Sequence, residues 1–216
     1  MKNIKIAIDG PASSGKSTVA KVVAKDLEII YLDTGAMYRA ATLVSIEIET
    51  LDFRKIIEFL QENSIAFAQT QVFLGTRDVT QIIRGNDVTA KVSEISAIPE
   101  IRDFMVREQR RIAKGHSIIM DGRDIGTVVL PDADLKIFLI ADAAERAARR
   151  YKENLERGIP SDLSALKEEI IERDRYDSSR KVSPLKAADD AIVFDTTGKT
   201  IPEVVDFIEG KARSLM

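Results

Sequence analysis

The stretch Ile4-Lys5-Ile6-Ala7-Ile8-Asp9-Gly10-Pro11-Ala12-Ser13-Ser14-Gly15-Lys16-Ser17-Thr18 runs from a short apolar segment, through a turn of glycine, proline and serine, to a lysine and two hydroxyl residues. Gly10 and Gly15 are separated by four residues, and Lys16 and Ser17 follow at once, which is the spacing of a phosphate loop. Glycines let the backbone curl around a phosphate and present its N–H groups to it. A helix beginning at Ser17 adds its own unpaired N–H donors and the positive end of its dipole. Lys16 can then reach β- and γ-phosphates, and Ser17 can ligate Mg²⁺. The nucleotide-binding set read here is Gly10, Pro11, Ala12, Ser13, Ser14, Gly15, Lys16, Ser17 and Thr18. The alternative is a turn that merely caps a helix, and a strand before with a helix after favours the phosphate loop.

Outward from this loop the chain alternates short apolar runs with amphipathic stretches. Ile4–Ile8, Ile29–Leu32, Ser117–Met120, Lys136–Ile140 and Ala191–Asp195 read as strands. Helices are expected over Ser17–Asp26, about Ala36–Ile46, a stretch capped by Asp52, a stretch begun by Pro99 and closed by Gly115, Ala143–Gly158, Leu163 to about Tyr176, and Ile201–Lys211. That order predicts an α/β fold with a parallel sheet flanked by helices. The texture changes between Ser64 and about Ser93, where Ile65–Thr80 is strand-prone with Gly75 as a bend. We read this segment as a small, partly β insertion.

The chain has 216 residues, no cysteine, one histidine and a formal net charge of −3. Its length suits one globular domain with small insertions. The charge argues against nonspecific nucleic-acid binding. No apolar run approaches the roughly 18 residues of a membrane span. The absence of cysteine removes disulfides and thiolate metal sites and is compatible with a cytosolic protein. His116, between Gly115 and Ser117, reads as a capping or surface residue.

A phosphate loop implies a nucleoside triphosphate and Mg²⁺ but not a kinase, because switch GTPases and ATPase modules share it. The guanine-reading Asn-Lys-x-Asp pattern is missing, and Asp195-Thr196-Thr197-Gly198 falls too late to serve as a switch. Size and layout favour a small phosphotransferase. Such an enzyme needs a second anion site, and arginine suits phosphate because its fork bonds two oxygens at once. Arg39, Arg102, Arg123, Arg173 and Arg180 are the candidates. Arg39 follows Asp33-Thr34-Gly35, and Arg123 lies within Asp121-Gly122-Arg123-Asp124, both at the carboxyl ends of strands, where doubly wound sheets bind ligands. Arginines between 149 and 181 suit either a solvated helix face or a mobile lid. Asp33 and Asp121 could hold metal-bound water or orient arginines.

Four blocks together resemble bacterial cytidylate kinases. They are Ile8–Ser17, Tyr31-Leu32-Asp33-Thr34-Gly35-Ala36-Met37-Tyr38-Arg39, Asp121–Val129 followed by Pro131-Asp132-Ala133, and Glu172-Arg173-Asp174 with Asp177 and Arg180. The resemblance implies a P-loop kinase fold with a lid and an enlarged nucleoside-monophosphate-binding insertion. It implies transfer of the γ-phosphoryl group of ATP to CMP or dCMP, dependence on Mg²⁺, and a cytoplasmic monomer without nucleic-acid or membrane partners. Carried over position by position, it implies that Ser93, Arg102 and Asp124 read cytosine and that Tyr38 lies near the base. It assigns Arg39, Arg123, Arg173 and Arg180 to the acceptor phosphate or the transferring group, with Lys16, and Asp177 to the sugar. Thr34 stands where some relatives carry Ser. The implied organisation is core at 1–63, insertion at 64–96, core at 97–145, lid and flanking helices at 146–180, and core at 181–216. Within that span the lid runs from about Arg146 to Arg157 and its neighbours.

Overall fold

The computed structural model describes residues 3–68 and 71–216, so Gln69 and Thr70, inside the strand-prone stretch, lie outside the described residues. Contacts divide the chain into two compact units, one of residues 1–31 and 113–216 and the other of residues 32–112.

The first unit is organised around β1 (Lys5–Asp9), which is buried from Ile6 onward. It pairs in parallel with β6 (Ile118–Gly122) on one side and β7 (Leu135–Ile140) on the other. β7 pairs in parallel with β8 (Ile192–Asp195), and β2 (Ile30–Asp33) takes the opposite edge, giving the order β2-β6-β1-β7-β8. Strands of a parallel sheet are near-continuous apolar runs because helices cover them. Here α1 (Lys16–Asp26) and α8 (Ile201–Arg213) bring Val19, Val23, Val204 and Ile208 into one core with Ile6, Ile8, Ile137 and Leu139. α8 starts in a capping box in which Thr200 and Glu203 each satisfy the other's backbone N–H. α6 (Ala143–Glu156) and α7 (Leu163–Ser178) are capped by Asp142 and Asp162 and pack on one another.

One feature has no counterpart in the sequence reading. Residues Ile125–Val129, separated from β6 by two residues, form a single π-helical turn closed by Leu130 N–H donating to the Ile125 carbonyl at 2.7 Å. The strand-prone stretch Ile65–Thr80 holds β-strands as read, with its bend at Gly75.

The second unit has α2 (Thr34–Glu47), capped by Asp33, and α3 (Phe53–Glu62), capped by Asp52. A three-stranded antiparallel sheet follows, with β3 (Ile65–Ala68), β4 (Gln71–Leu74) and β5 (Arg77–Asp78) in sequence order. Gly75 bends the chain after β4 with φ +60°. Beyond it the chain is helical, in a 3₁₀ turn over Ile82–Arg84 and α4 (Asn86–Ile95). Val88, Val92 and Ile95 are the buried residues of α4, at helical spacing, so the apolar period there is 3.6 and not 2. α2 packs against α3, α4 and the 3₁₀ turn, and α5 (Pro99–Ala113) leads back to β6. Among the described residues no helix is long and apolar enough to cross a membrane.

Candidate active site

The phosphate loop closes off β1, and its glycines are geometrically required. Gly10 has φ +150°, and a Cβ there would lie 2.2 Å from the Leu139 carbonyl oxygen on the neighbouring strand. Gly15 has φ +89° and occupies the N-cap of α1, which receives no side-chain cap. The first N–H groups of α1 are thus left to the loop's contents, as an anion site requires. Lys16 is buried and its Nζ donates to the Pro11 carbonyl at 2.7 Å, which folds the side chain across the loop. Burial and the nearby Arg123 push the Lys16 ammonium well below the ordinary lysine range, against the pull of Asp121 and Asp9.

Ser17 Oγ donates to Asp121 Oδ2 at 2.7 Å, and the Tyr31 hydroxyl donates to Asp121 Oδ1 at 2.7 Å. This separates the two aspartates that sequence left equivalent. Asp121 lies against the candidate metal ligand. Asp33 instead caps α2 through Ala36 N–H at 2.9 Å and accepts from Arg84 Nη2 at 3.2 Å.

Asp177 on α7 is fully buried. It accepts from Arg123 Nε and Arg180 Nη2, and Arg173 Nε stands 4.0 Å from it. Burial by itself would raise this carboxyl, but Arg123, Arg180 and Arg173 together outweigh it and hold the group below the usual carboxylate range. Three guanidiniums around one carboxylate leave a net charge of about +2 in a partly desolvated place, where electrostatic attraction for an anion is strong. Lys16 feels the same field, since both Arg123 and Arg173 depress it. Four residues read as catalytic, Lys16, Arg123, Arg173 and Arg180, therefore share one electrostatic neighbourhood.

In the second unit, Arg102 Nη1 donates to the Ser96 carbonyl at 2.9 Å, and its guanidinium lies 5.2 Å from the Tyr38 ring centroid. Ser96 Oγ in turn donates to the Ser93 carbonyl at 3.2 Å, so Ser93, Arg102 and Tyr38 form one connected group. Arg39 Nη1 donates to Thr89 Oγ1 at 2.9 Å, and Thr34 is buried in the first turn of α2. Asp124, the third residue expected to read cytosine, is buried in the first unit.

Several participants had no assignment from sequence. Asp9 accepts backbone N–H groups from Ile125 at 2.8 Å and Gly126 at 2.7 Å, and its burial pushes the carboxyl up to about 7. Arg146, at the expected start of the lid, donates to the carbonyls of Ala12 and Ala141 and pairs with Asp174 at 2.6 Å. Arg149 donates to both the hydroxyl and the carbonyl of Thr196, and Thr196 Oγ1 reaches the Ser14 carbonyl at 3.4 Å. The available signal was an acid ending an apolar strand for Asp9. None marked Arg146 among the many charged residues of α6.

A family profile described as Cytidylate kinase matches residues 6–214. The chain belongs to the cytidylate kinase family. It is a phosphotransferase that carries the γ-phosphoryl group of ATP to CMP or dCMP. It is 64% identical over 220 residues to a cytidylate kinase of Lactococcus lactis subsp. lactis, with both chains fully covered. It is 61% identical over 223 residues to a cytidylate kinase of Streptococcus pyogenes, covering 100% of this chain and 99% of that one. Among solved structures, an uncharacterized protein from Eubacterium ventriosum matches with a TM-score of 0.58 at 14% identity, over 99% of both chains, a likeness of fold alone.

Proposed function

We propose that the loop from Gly10 to Thr18 holds the triphosphate of ATP and that Arg123, Arg173 and Arg180 stabilise the phosphoryl group in flight and the acceptor phosphate. The observation that carries this reading is the buried Asp177 carboxylate with three arginines gathered on it beside Lys16. Asp177 keeps the guanidiniums oriented and partly neutral until a phosphate displaces or joins it, and the resemblance adds a contact to the sugar. The acceptor phosphate is already anionic at neutral pH, so no strong general base is needed, and charge spread over the equatorial oxygens is what the side chains must stabilise. Lys16 leaves the Pro11 carbonyl for the β- and γ-phosphates.

Mg²⁺ fits the donor set of Ser17 and Asp121, a hydroxyl against a carboxylate, since it takes hard oxygen ligands and completes its shell with water and phosphate oxygens. When bound it neutralises charge on the phosphates. Ser17 would supply the direct oxygen ligand, and Asp121, hydrogen-bonded to it, would support the ion from beside it.

Cytosine is read by Ser93, Arg102 and Asp124. A carboxylate accepts from the exocyclic amino group, whereas uracil would set an oxygen against it. Tyr38 supports the base through the Arg102 stack, and Arg39 and Thr34 serve the acceptor phosphate. The lid runs from about Arg146 to Arg157 and its neighbours, with flanking helices to residue 180, and residues 64–96 form the acceptor-binding insertion. We further propose a cytoplasmic monomer.

The test is phosphoryl transfer measured with CMP, dCMP, UMP and AMP as acceptors. Asp124→Ala is expected to reduce the preference for CMP over UMP by about tenfold or more while ATP binding changes little. An unchanged CMP/UMP ratio removes Asp124 from base recognition.

A further inference from the structure

Asp9 ends β1 immediately before the phosphate loop, yet its carboxylate turns to another part of the chain. One oxygen accepts the Ile125 N–H and the other the Gly126 N–H, across 116 and 117 residues of sequence. These are the first two residues of the π-helical turn Ile125–Val129. The N-cap place of that turn belongs to Asp124, whose side chain makes no cap bond there. The turn's leading N–H groups, which no short helix can satisfy internally, are therefore capped from a different strand. π-helical turns are rare and locally costly, and they persist where the surroundings hold them.

The approach is also close. A Cβ added at Gly126 would lie 3.2 Å from Lys136 Cδ and 3.4 Å from Asp9 Oδ2. A side chain there would press on the Lys136 stem, which would have to give by a few tenths of an ångström, while its contact with Asp9 would be an ordinary one. The residues directly in front of the turn are Arg123 and Asp124. Asp9 thus grips the two backbone N–H groups that immediately follow them, while being joined covalently to Gly10 of the phosphate loop. The carboxylate is 4% exposed, so water does not compete for these two bonds.

We propose that Asp9 is a positioning residue of the acceptor side: its carboxylate ties the root of the phosphate loop to the π-helical turn, and so sets the aim of Arg123 and Asp124 relative to the phosphates of ATP. This rests on the acceptor role of those two residues proposed above. An error of about 1 Å in such an arrangement is enough to cost about a hundredfold in rate.

The test is Asp9→Asn, which keeps the size, leaves one acceptor and turns an amide donor against the second backbone N–H. Acceptor KM is expected to rise about tenfold or more and the CMP/UMP preference to shrink, while ATP affinity measured by calorimetry without acceptor stays within about threefold. The Gly126 amide is expected to exchange its hydrogen faster. A folded variant with unchanged acceptor KM and CMP/UMP ratio overturns the inference, and so does one that loses ATP affinity in equal measure. If Asp9→Asn does not fold, Asp9→Ser is read by the same assays, and failure of both to fold makes Asp9 a stability element and overturns the positioning role. Asp124→Ala is run alongside. An unchanged CMP/UMP ratio in that variant sinks the acceptor assignment itself, whereas a collapsed ratio there with none in Asp9→Asn sinks only the present inference.

Discussion

Arg146 Nη1 donates to the Ala12 carbonyl at 3.1 Å, 134 residues away, while its Nη2 lies 2.6 Å from Asp174 Oδ2. One buried guanidinium thereby ties the phosphate loop to α7, the helix that carries Arg173 and Asp177. Such a residue is a joint between the phosphate loop and the arginine cluster.

Arg146→Ala removes those bonds and leaves Asp174 without its cation. Stability is expected to fall by about 2 kcal/mol, read as a lower Tm. KM for ATP is expected to rise together with the fall in kcat, because loop and cluster lose their common support. A drop in Tm with normal steady-state kinetics would confine Arg146 to a structural role.

Gly10→Ala places a methyl group 2.2 Å from the Leu139 carbonyl oxygen, a contact that only backbone movement relieves. The loop must shift by a sizeable fraction of an ångström. kcat/KM is expected to fall about a hundredfold or more. Steady-state assays on the purified variant check this, and circular dichroism separates misplacement of the loop from loss of fold.

Lys16 has a folded-state value depressed by burial and by Arg123, whereas the unfolded chain holds the ordinary value of 10.5. Between the two the unfolded chain binds more protons, so this group makes stability rise with pH across that window. A bound triphosphate supplies negative charge and restores the ammonium. ATP binding at pH 8 to 9 is therefore expected to take up protons, seen as a buffer-dependent enthalpy in calorimetry. That dependence is expected to shrink in Lys16→Met, whose turnover should fall by orders of magnitude.

Asp177 has the opposite sign. Its folded value is held low by its three arginines against the cost of burial, so its contribution is full above the ordinary carboxylate value and is lost as pH falls through the folded one. Asp177→Asn leaves Arg123, Arg173 and Arg180 mutually repelling in a poorly solvated place. The expected loss is about 3 kcal/mol near neutral pH. Inorganic phosphate or CMP should raise the Tm of this variant more than that of the unaltered protein. An equal rise in both would argue against the cluster as the anion site.

Much of the fold and the phosphate loop that follows β1 were legible because their signals are contiguous. β1, the loop and α1 follow one another within Lys5–Asp26, and each apolar strand announces itself by its own residues. Asp121-Gly122-Arg123-Asp124 also lies in one piece at the end of β6. The helix α4 carried a readable signal, Val88, Val92 and Ile95 at helical spacing, and was obscured by the strand-prone residues before it. The π-helical turn had no such signal, because it is stabilised by Asp9 from a distant strand and not by its own residues.

From sequence alone came the phosphate loop, the parallel sheet and the set of arginines from which an acceptor site could be drawn. Tertiary structure decided which partners their side chains meet. It gave Asp121 to Ser17 and Asp33 to Arg84, gathered Arg123, Arg173 and Arg180 on Asp177, and turned Arg146 inward to the loop. The physical reason is range. Backbone curvature and strand propensity are properties of neighbouring residues, whereas the partner of a charged side chain is chosen by burial and by whichever opposite charge the fold brings within hydrogen-bonding distance.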